Sequence, residues 1–309
     1  MTSGARTATV ITSMYNAGPA VLEVIDRLFL PSLLRNGSSE KQLILLDDAS
    51  PLERQTLALV RKYEPELRRT FGDYQFLRNP RNLGFGGSYN RGMRRAEGQA
   101  LVLLNDDLYL PRGSLDQLLA VLGDGPDIGL VGPVTNWVTA YQNTHLCPRL
   151  KDLSIEEQQR IERFAAHLRQ CVGRRAIPVD RLIGFCWAIS GDLVRAIGYL
   201  DESFAHGLFE DDDYCLRARR AGFRLLLDLS TFVHHGGPSG GGLSMRQNLP
   251  RTLKYAVRNG IRFARKHGLP YRAVLRQSLA GFVQFMFDTN TVTAQLRSYL
   301  RDGRGESHG

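Results

Sequence analysis

The chain has 309 residues, 43% of them hydrophobic, and carries 40 Lys and Arg against 31 Asp and Glu. This length and apolar content exclude a disordered or fibrous chain and predict one large domain with an appendage. Four cysteines, at positions 147, 171, 186 and 215, form no C-x-x-C pair, which argues against a zinc site or a disulfide framework and predicts a reducing, cytoplasmic setting.

The opening residues lack an apolar stretch of signal-peptide length, and no run approaches the roughly 20 apolar residues of a spanning helix, so neither secretion nor membrane insertion is expected. Residues 8–13 and 43–47 are short β-rich runs. Between them Val21, Leu22, Ile25, Leu28 and Phe29 recur at helical spacing, giving a β-α-β opening. A helix near 52–63, a strand over 74–78, a helix over 87–96 entered from a Gly-rich loop, and the strand LVLL at 101–104 follow. Repetition of this unit predicts an α/β fold in which a mostly parallel sheet is covered by helices and binds ligands at the carboxyl ends of its strands. Asp48 and Asp107 fall on that edge. The stretch 136–180 is less regular, with a helix beginning at Ser154 and running to about Cys171. From Leu182 the pattern reads strand, turn, helix. The β-rich run LLLDLSTFV then leads to Val233-His234-His235, and glycines from 236 to 242 interrupt all regular structure ahead of two further helices.

Two acidic clusters carry the chemistry. Asn105-Asp106-Asp107 closes an apolar strand, and Glu210-Asp211-Asp212-Asp213 follows Leu208-Phe209. Acids at a strand exit are placed to be neutralised by a divalent cation, and an imidazole from His234 or His235 would complete the coordination. Successive side chains of an extended chain point to opposite faces, so only one of the two histidines faces the site. Residues 84–91 read GFGGSYNR and lack the third glycine of a dinucleotide fingerprint, which disfavours a dehydrogenase.

Six segments in order, ATVITSMYN (8–16), LILLDDAS (43–50), NPRNLGFGGSYNRGMRRA (79–96), LVLLNDD (101–107), FEDDDYCLRARRAGFRL (209–225) and VHH (233–235), resemble glycosyltransferase family 2 and, within it, bacterial rhamnosyltransferase-like members. The resemblance implies the glycosyltransferase type A fold, a nucleotide-binding, mostly parallel sheet flanked by helices, with a helical C-terminal appendage. Residues 1–237 would form the catalytic domain, 238–248 a Gly-rich hinge or lid, and 249–309 the basic appendage. It implies a metal-dependent, inverting transfer of a hexosyl or deoxyhexosyl group from a nucleotide-diphosphate sugar to a hydroxyl of a glycan, lipid-linked or other acceptor. UDP- and dTDP-sugars are the favoured donors and Mn²⁺ or Mg²⁺ the metal. Asp107 and His235 would hold the ion, with Asn105 standing where the family's Asp-x-Asp signature has its first acid. Asp211 would be the general base. Glu210 and Asp213 would orient it or meet the acceptor, as would Trp187 if it stacks on sugar rather than packing in the core. Thr12, Tyr15, Asn16, Asp48, Asn82, Gly86, Asn90, Asn105 and Asp106 would line the donor site, Asp48 being preferred to Asp47 as the acid facing the nucleobase.

The whole formal excess of +9 lies in residues 246–309, which hold twelve Lys and Arg and three acids. No nucleic-acid recognition motif accompanies it, so nucleic acid is not an expected partner. Arg251, Lys254, Arg258, Arg262 and Arg265 recur every three or four residues beside a stripe of Leu253, Val257, Ile261 and Ala264. Such a helix either packs its stripe on the catalytic domain or a homodimer partner, or meets an anionic membrane at the inner face as a peripheral contact. Two other classes share parts of the pattern. A nucleotidyltransferase would want a basic phosphate-gripping loop where TSMYNAGPA stands, and a noncatalytic glycan-binding derivative would lose the base.

Overall fold

A computed structural model describes residues 7–138, 141–144, 146, 149–204, 208–237, 249–274, 276 and 291–302. The opening strand β1 (Ala8–Met14) leads through α1 (Pro19–Val24), a π-helical turn over Ile25–Phe29 and α2 (Leu30–Leu34) to β2 (Lys41–Asp47), every residue of which is buried. Then come α3 (Glu53–Thr70), β3 (Asp73–Arg78), α4 (Gly84–Met93) and β4 (Ala100–Leu104). All four strands pair in parallel, in the order β3-β2-β1-β4. Apolar runs buried on both faces are what a parallel sheet covered by helices requires.

Helix α4 begins at Gly84, three residues earlier than its sequence suggests, because the Asp48 carboxylate accepts hydrogen bonds from the backbone N–H groups of Leu83 (2.7 Å) and Gly84 (2.9 Å). A carboxylate at a helix start satisfies donors that have no partner within the helix. Gly92 lets this helix lie close to the sheet, since a Cβ there would come within 2.5 Å of Ile11 Cγ2.

The second half of the sheet is mixed. After β5 (Leu108–Tyr109) and α5 (Ser114–Leu122) come β6 (Ile128–Val134), α6 (Ile155–Val172), β7 (Ala176–Val179), β8 (Cys186–Ser190), α7 (Gly191–Ile197), α8 (Glu210–Arg220), β9 (Arg224–Phe232) and β10 (His234–His235). Strand β8 runs antiparallel to both β4 and β6, so it joins the parallel half to the order β8-β6-β9-β7. The α6 start is capped as its sequence predicts, with Ser154 Oγ accepting from Glu157 N. The glycine-rich segment 238–248 lies outside the described residues.

Two helices close the chain, α9 (Leu249–His267) and α10 (Thr291–Asp302). Val292 and Leu296 of α10 join the main core beside α6. In α9 the inward face is Asn259, Gly260, Phe263, Ala264 and His267, which keeps Ala264 of the stripe read from the sequence and leaves out Val257, 53% exposed. Among the described residues no helix is long and apolar enough to cross a membrane.

Candidate functional site

Parallel pairing of β1, β2 and β4 brings Tyr15-Asn16, Asp48 and Asn105-Asp106-Asp107 to one edge. Tyr15 N donates to Asp106 Oδ2 (3.2 Å), and Asp48 N donates to Met14 O (2.9 Å). Burial, reinforced by the neighbouring Asp107 charge, pushes the Asp106 carboxyl up to about 7. The adjoining carboxylates of Asp106 and Asp107 hold a negative potential at this edge that suits a cation.

The histidine pair is resolved by strand register. β10 pairs antiparallel with β5, setting His235 opposite Leu108 and His234 opposite Tyr109, and Gly236 N donates to Asp107 O (2.8 Å). His235 Nε2 lies 3.3 Å from Asp107 Oδ1, while its Nδ1–H donates to Trp137 O (2.8 Å) and its ring stacks on Phe185. Because a carbonyl only accepts, Nδ1 carries the proton, and the buried Nε2 has no hydrogen-bond partner among the described residues. A metal-ligating histidine is held in this way, one nitrogen fixed by a backbone carbonyl and the other presented. His234 turns the other way. It is buried, accepts from Leu150 N (3.4 Å), and burial pushes its imidazole down to about 3, so it stays neutral in the core. Among the described residues no three His, Cys, Asp or Glu are grouped to hold a metal by themselves. Asp107 and His235 would supply two ligands and a substrate diphosphate the remainder, which fits a hard ion with oxygen and imidazole donors.

The second acidic cluster opens α8. Asp211 is 9% exposed; its Oδ2 accepts from Gly184 N (3.4 Å) and its Oδ1 from Asp212 N (2.9 Å). Asp212 is gripped by Arg181, Nε to Oδ1 at 2.6 Å and Nη2 to Oδ2 at 3.0 Å, yet burial still holds its carboxyl up at about 7. Glu210 is buried, and burial together with the Asp211 charge pushes its carboxyl well above the usual range.

One short segment ties the two clusters together. Gly184 N reaches Asp211, Phe185 O accepts from Asn105 N (2.8 Å), and the Phe185 ring lies 5.0 Å from that of His235. Gly184 itself sits against Phe85 of α4 and Asp211 Cβ. Sequence reading passes over these two residues, whose one signal is their place directly ahead of the strand that adjoins β4.

Other residues named from the sequence have supporting places. Asp48 also accepts from Asn79 Nδ2 (2.7 Å), so its carboxylate organises the 79–84 turn; Asp47 is buried against Arg78 and Ser50 N. Asn16 Nδ2 donates to Thr56 Oγ1 (2.8 Å), and neither Asn16 nor Thr12 is exposed. Asn82 is exposed and caps Gly84 N. Asn90 pairs twice with the Leu200 backbone, and Gly86 faces Leu200, Asp201 and Glu202. Trp187 is fully buried and stacks on Tyr214, which makes it core. Asp213, at 0% exposure, points away from Asp211 to Arg217, Lys266 and His267.

A sequence model described as glycosyl transferase family 2 matches residues 9–186, more than half of the chain. The chain belongs to this family. The matched part of this glycosyltransferase runs from β1 to the first residue of β8 and so contains the whole first acidic cluster. No curated protein matches it by sequence. Solved structures resemble it in fold: the mannosyltransferase PcManGT from Pyrobaculum calidifontis, in complex with GDP-Man and Mn²⁺, superposes at TM-score 0.55 with 15% identity, covering 99% of this chain and 77% of that one. GalNAc-T7 with UDP, GalNAc and Mn²⁺ gives 0.57 at 17% identity, covering 93% and 57%. S. aureus TarS 1-349 gives 0.51 at 18%, covering 97% and 87%.

Proposed function

We propose that this glycosyltransferase is metal-dependent and inverting, and moves a hexosyl or 6-deoxyhexosyl group from a nucleoside-diphosphate sugar, UDP- or dTDP-linked, to a hydroxyl of a glycan or lipid-linked acceptor. The observation that carries the reading is the Asp107–His235 pair, with a buried Nε2 lying 3.3 Å from a carboxylate oxygen at a strand-end edge. Similarity to PcManGT and GalNAc-T7, described with Mn²⁺ and nucleotide ligands, supports Mn²⁺ as the ion. When bound, the ion supplies charge compensation for a leaving diphosphate.

The chain's own residues do the rest. Asp107 and His235 would hold the ion, Asp106 and the Tyr15 backbone shape the donor edge, and Asp48 fixes the turn that opens α4. Asp211 takes the proton from the acceptor hydroxyl as that oxygen attacks the anomeric carbon from the face opposite the diphosphate. Gly184 N–H orients the base, and buried Glu210 adds a neighbouring carboxyl. Screening UDP-, dTDP- and GDP-sugars for release of free nucleoside diphosphate tests the class. Release with Mn²⁺ and none with EDTA is the expected result, whereas pyrophosphate as product would indicate nucleotidyl transfer and no release a binding protein.

The basic face of α9 supports a contact with a membrane surface. Lys254, Val257, Arg258, Ile261, Arg262, Arg265, Lys266 and Ser203 line a groove of about 910 Å³ on α9, with Lys254, Val257, Arg258 and Arg265 exposed. Basic side chains around an exposed apolar residue suit an anionic lipid interface, which supports reading the enzyme as a peripheral protein at the cytoplasmic face. Cosedimentation with vesicles of anionic and of neutral lipid checks this. Binding to anionic vesicles alone, weakened by salt and by Lys254→Glu with Arg258→Glu, is expected; equal behaviour of both vesicles at low salt would leave the groove without this role.

A further inference from the structure

Leu208 and Phe209, directly ahead of Glu210-Asp211, both have φ of +73°. Two successive bulky side chains in the left-handed region are costly, and such backbone persists only where its surroundings impose it. Here the surroundings come from α9. Asn259, 1% exposed, donates its Nδ2–H to Leu208 O (3.0 Å). The Phe209 ring lies 5.6 Å from that of Phe263 and against Gly260, where a Cβ would come within 3.2 Å of it. One turn further, Lys266 Nζ and His267 Nε2 both reach Asp213 Oδ1, at 2.6 and 2.8 Å, while Lys266 also meets Asp201 and Arg262 donates to Ser203 O. Positions 259, 263, 266 and 267 share one helix face. That face holds the first turn of α8 at both ends, at the carbonyl before it and at the carboxylate of its fourth residue.

We infer that α9 is a positioning element for the acceptor-activating carboxylate, with Asn259 as the residue that locks the Leu208–Phe209 backbone so that Asp211 meets Gly184 N and faces the donor edge. This rests on Asp211 being the base. Asp107 and His235 are fixed by β5, β10, Trp137 and Phe185, none of which α9 supplies, so disturbing Asn259 separates base geometry from donor binding.

The test uses the full chain and the nucleotide sugar found active in the donor screen, with nucleoside diphosphate release as the rate and calorimetry of UDP with Mn²⁺ for the donor site. Asn259→Ala is expected to lower kcat about tenfold or more, since small misplacements of a reacting group carry losses of that order. Affinity for UDP with Mn²⁺ should stay within about twofold. Hydrogen exchange should rise in residues 208–215 and not in 105–109 or 234–236. Adding Leu208→Gly, which accepts positive φ without strain, should restore part of the rate, an effect that general destabilisation would not produce. Wild-type kcat and exchange in Asn259→Ala beside an inactive Asp211→Asn enzyme would overturn the positioning role alone; an active Asp211→Asn enzyme would instead remove the base assignment. If turnover with water as acceptor is too slow to measure, the exchange pattern decides, and unchanged protection of 208–215 counts against the inference.

Discussion

Replacing Asp107 by alanine is expected to lower turnover by about 10³-fold or more, because it removes the acid best placed to anchor the ion that offsets charge on the leaving diphosphate. The reach of the effect follows from the geometry. Asp107 is the partner of His235 Nε2, so its loss leaves the imidazole facing no carboxylate, and the neighbouring Asp106, whose carboxyl burial already pushes up, is a poor substitute. His235→Ala should act in the same direction with a smaller loss, about 10²-fold. Rates measured against Mn²⁺ concentration check both: the variants should need far more metal, and EDTA should abolish wild-type activity. Full activity in EDTA, or an Asp107→Ala enzyme close to wild type, would remove the metal from the mechanism.

Asp211→Asn should leave donor binding intact and reduce transfer about 10²-fold or more, since the amide keeps the shape of the carboxylate and cannot take a proton. The contacts to Gly184 N and Asp212 N need only an acceptor oxygen, which the amide still offers to one of them, so the α8 start should hold. NMR of the product provides the second arm. An inverted anomeric configuration accords with a single displacement assisted by Asp211, and retention would exclude it.

The parallel half of the fold is legible in the sequence because β1, β2 and β4 are apolar or β-rich runs and the intervening helices repeat apolar residues at helical spacing. The rest is not, for reasons of length and composition. β5 and β10 are two residues each, too short for any period, although their pairing decides which histidine faces Asp107. β6 is interrupted by Gly129, Gly132 and Pro133, which break up its apolar run. In the site, the residue types are readable and their facing is not. Acids two residues apart on a helix diverge by about 200°, which puts Asp211 beside Gly184 and sends Asp213 to Lys266. Likewise Asn90 and Gly86 lie in the expected Gly-rich segment but on the side of α4 that packs against Leu200, and Trp187 sits on a central strand where its ring has no way out of the core.

The contacts of α9 alter how the chain's charge should be counted. Arg262 and Lys266 belong by sequence to the basic tail, but Arg262 is committed to a carbonyl and Lys266 to two carboxylates of the domain that precedes it. These cations act as internal counterions for acids that a folded domain would otherwise leave facing each other. The formal charge of the last 64 residues therefore overstates the field that α9 presents to solvent: among its described side chains the outward charge comes from Lys254, Arg258 and Arg265, which share one flank of the helix and give it a directional field.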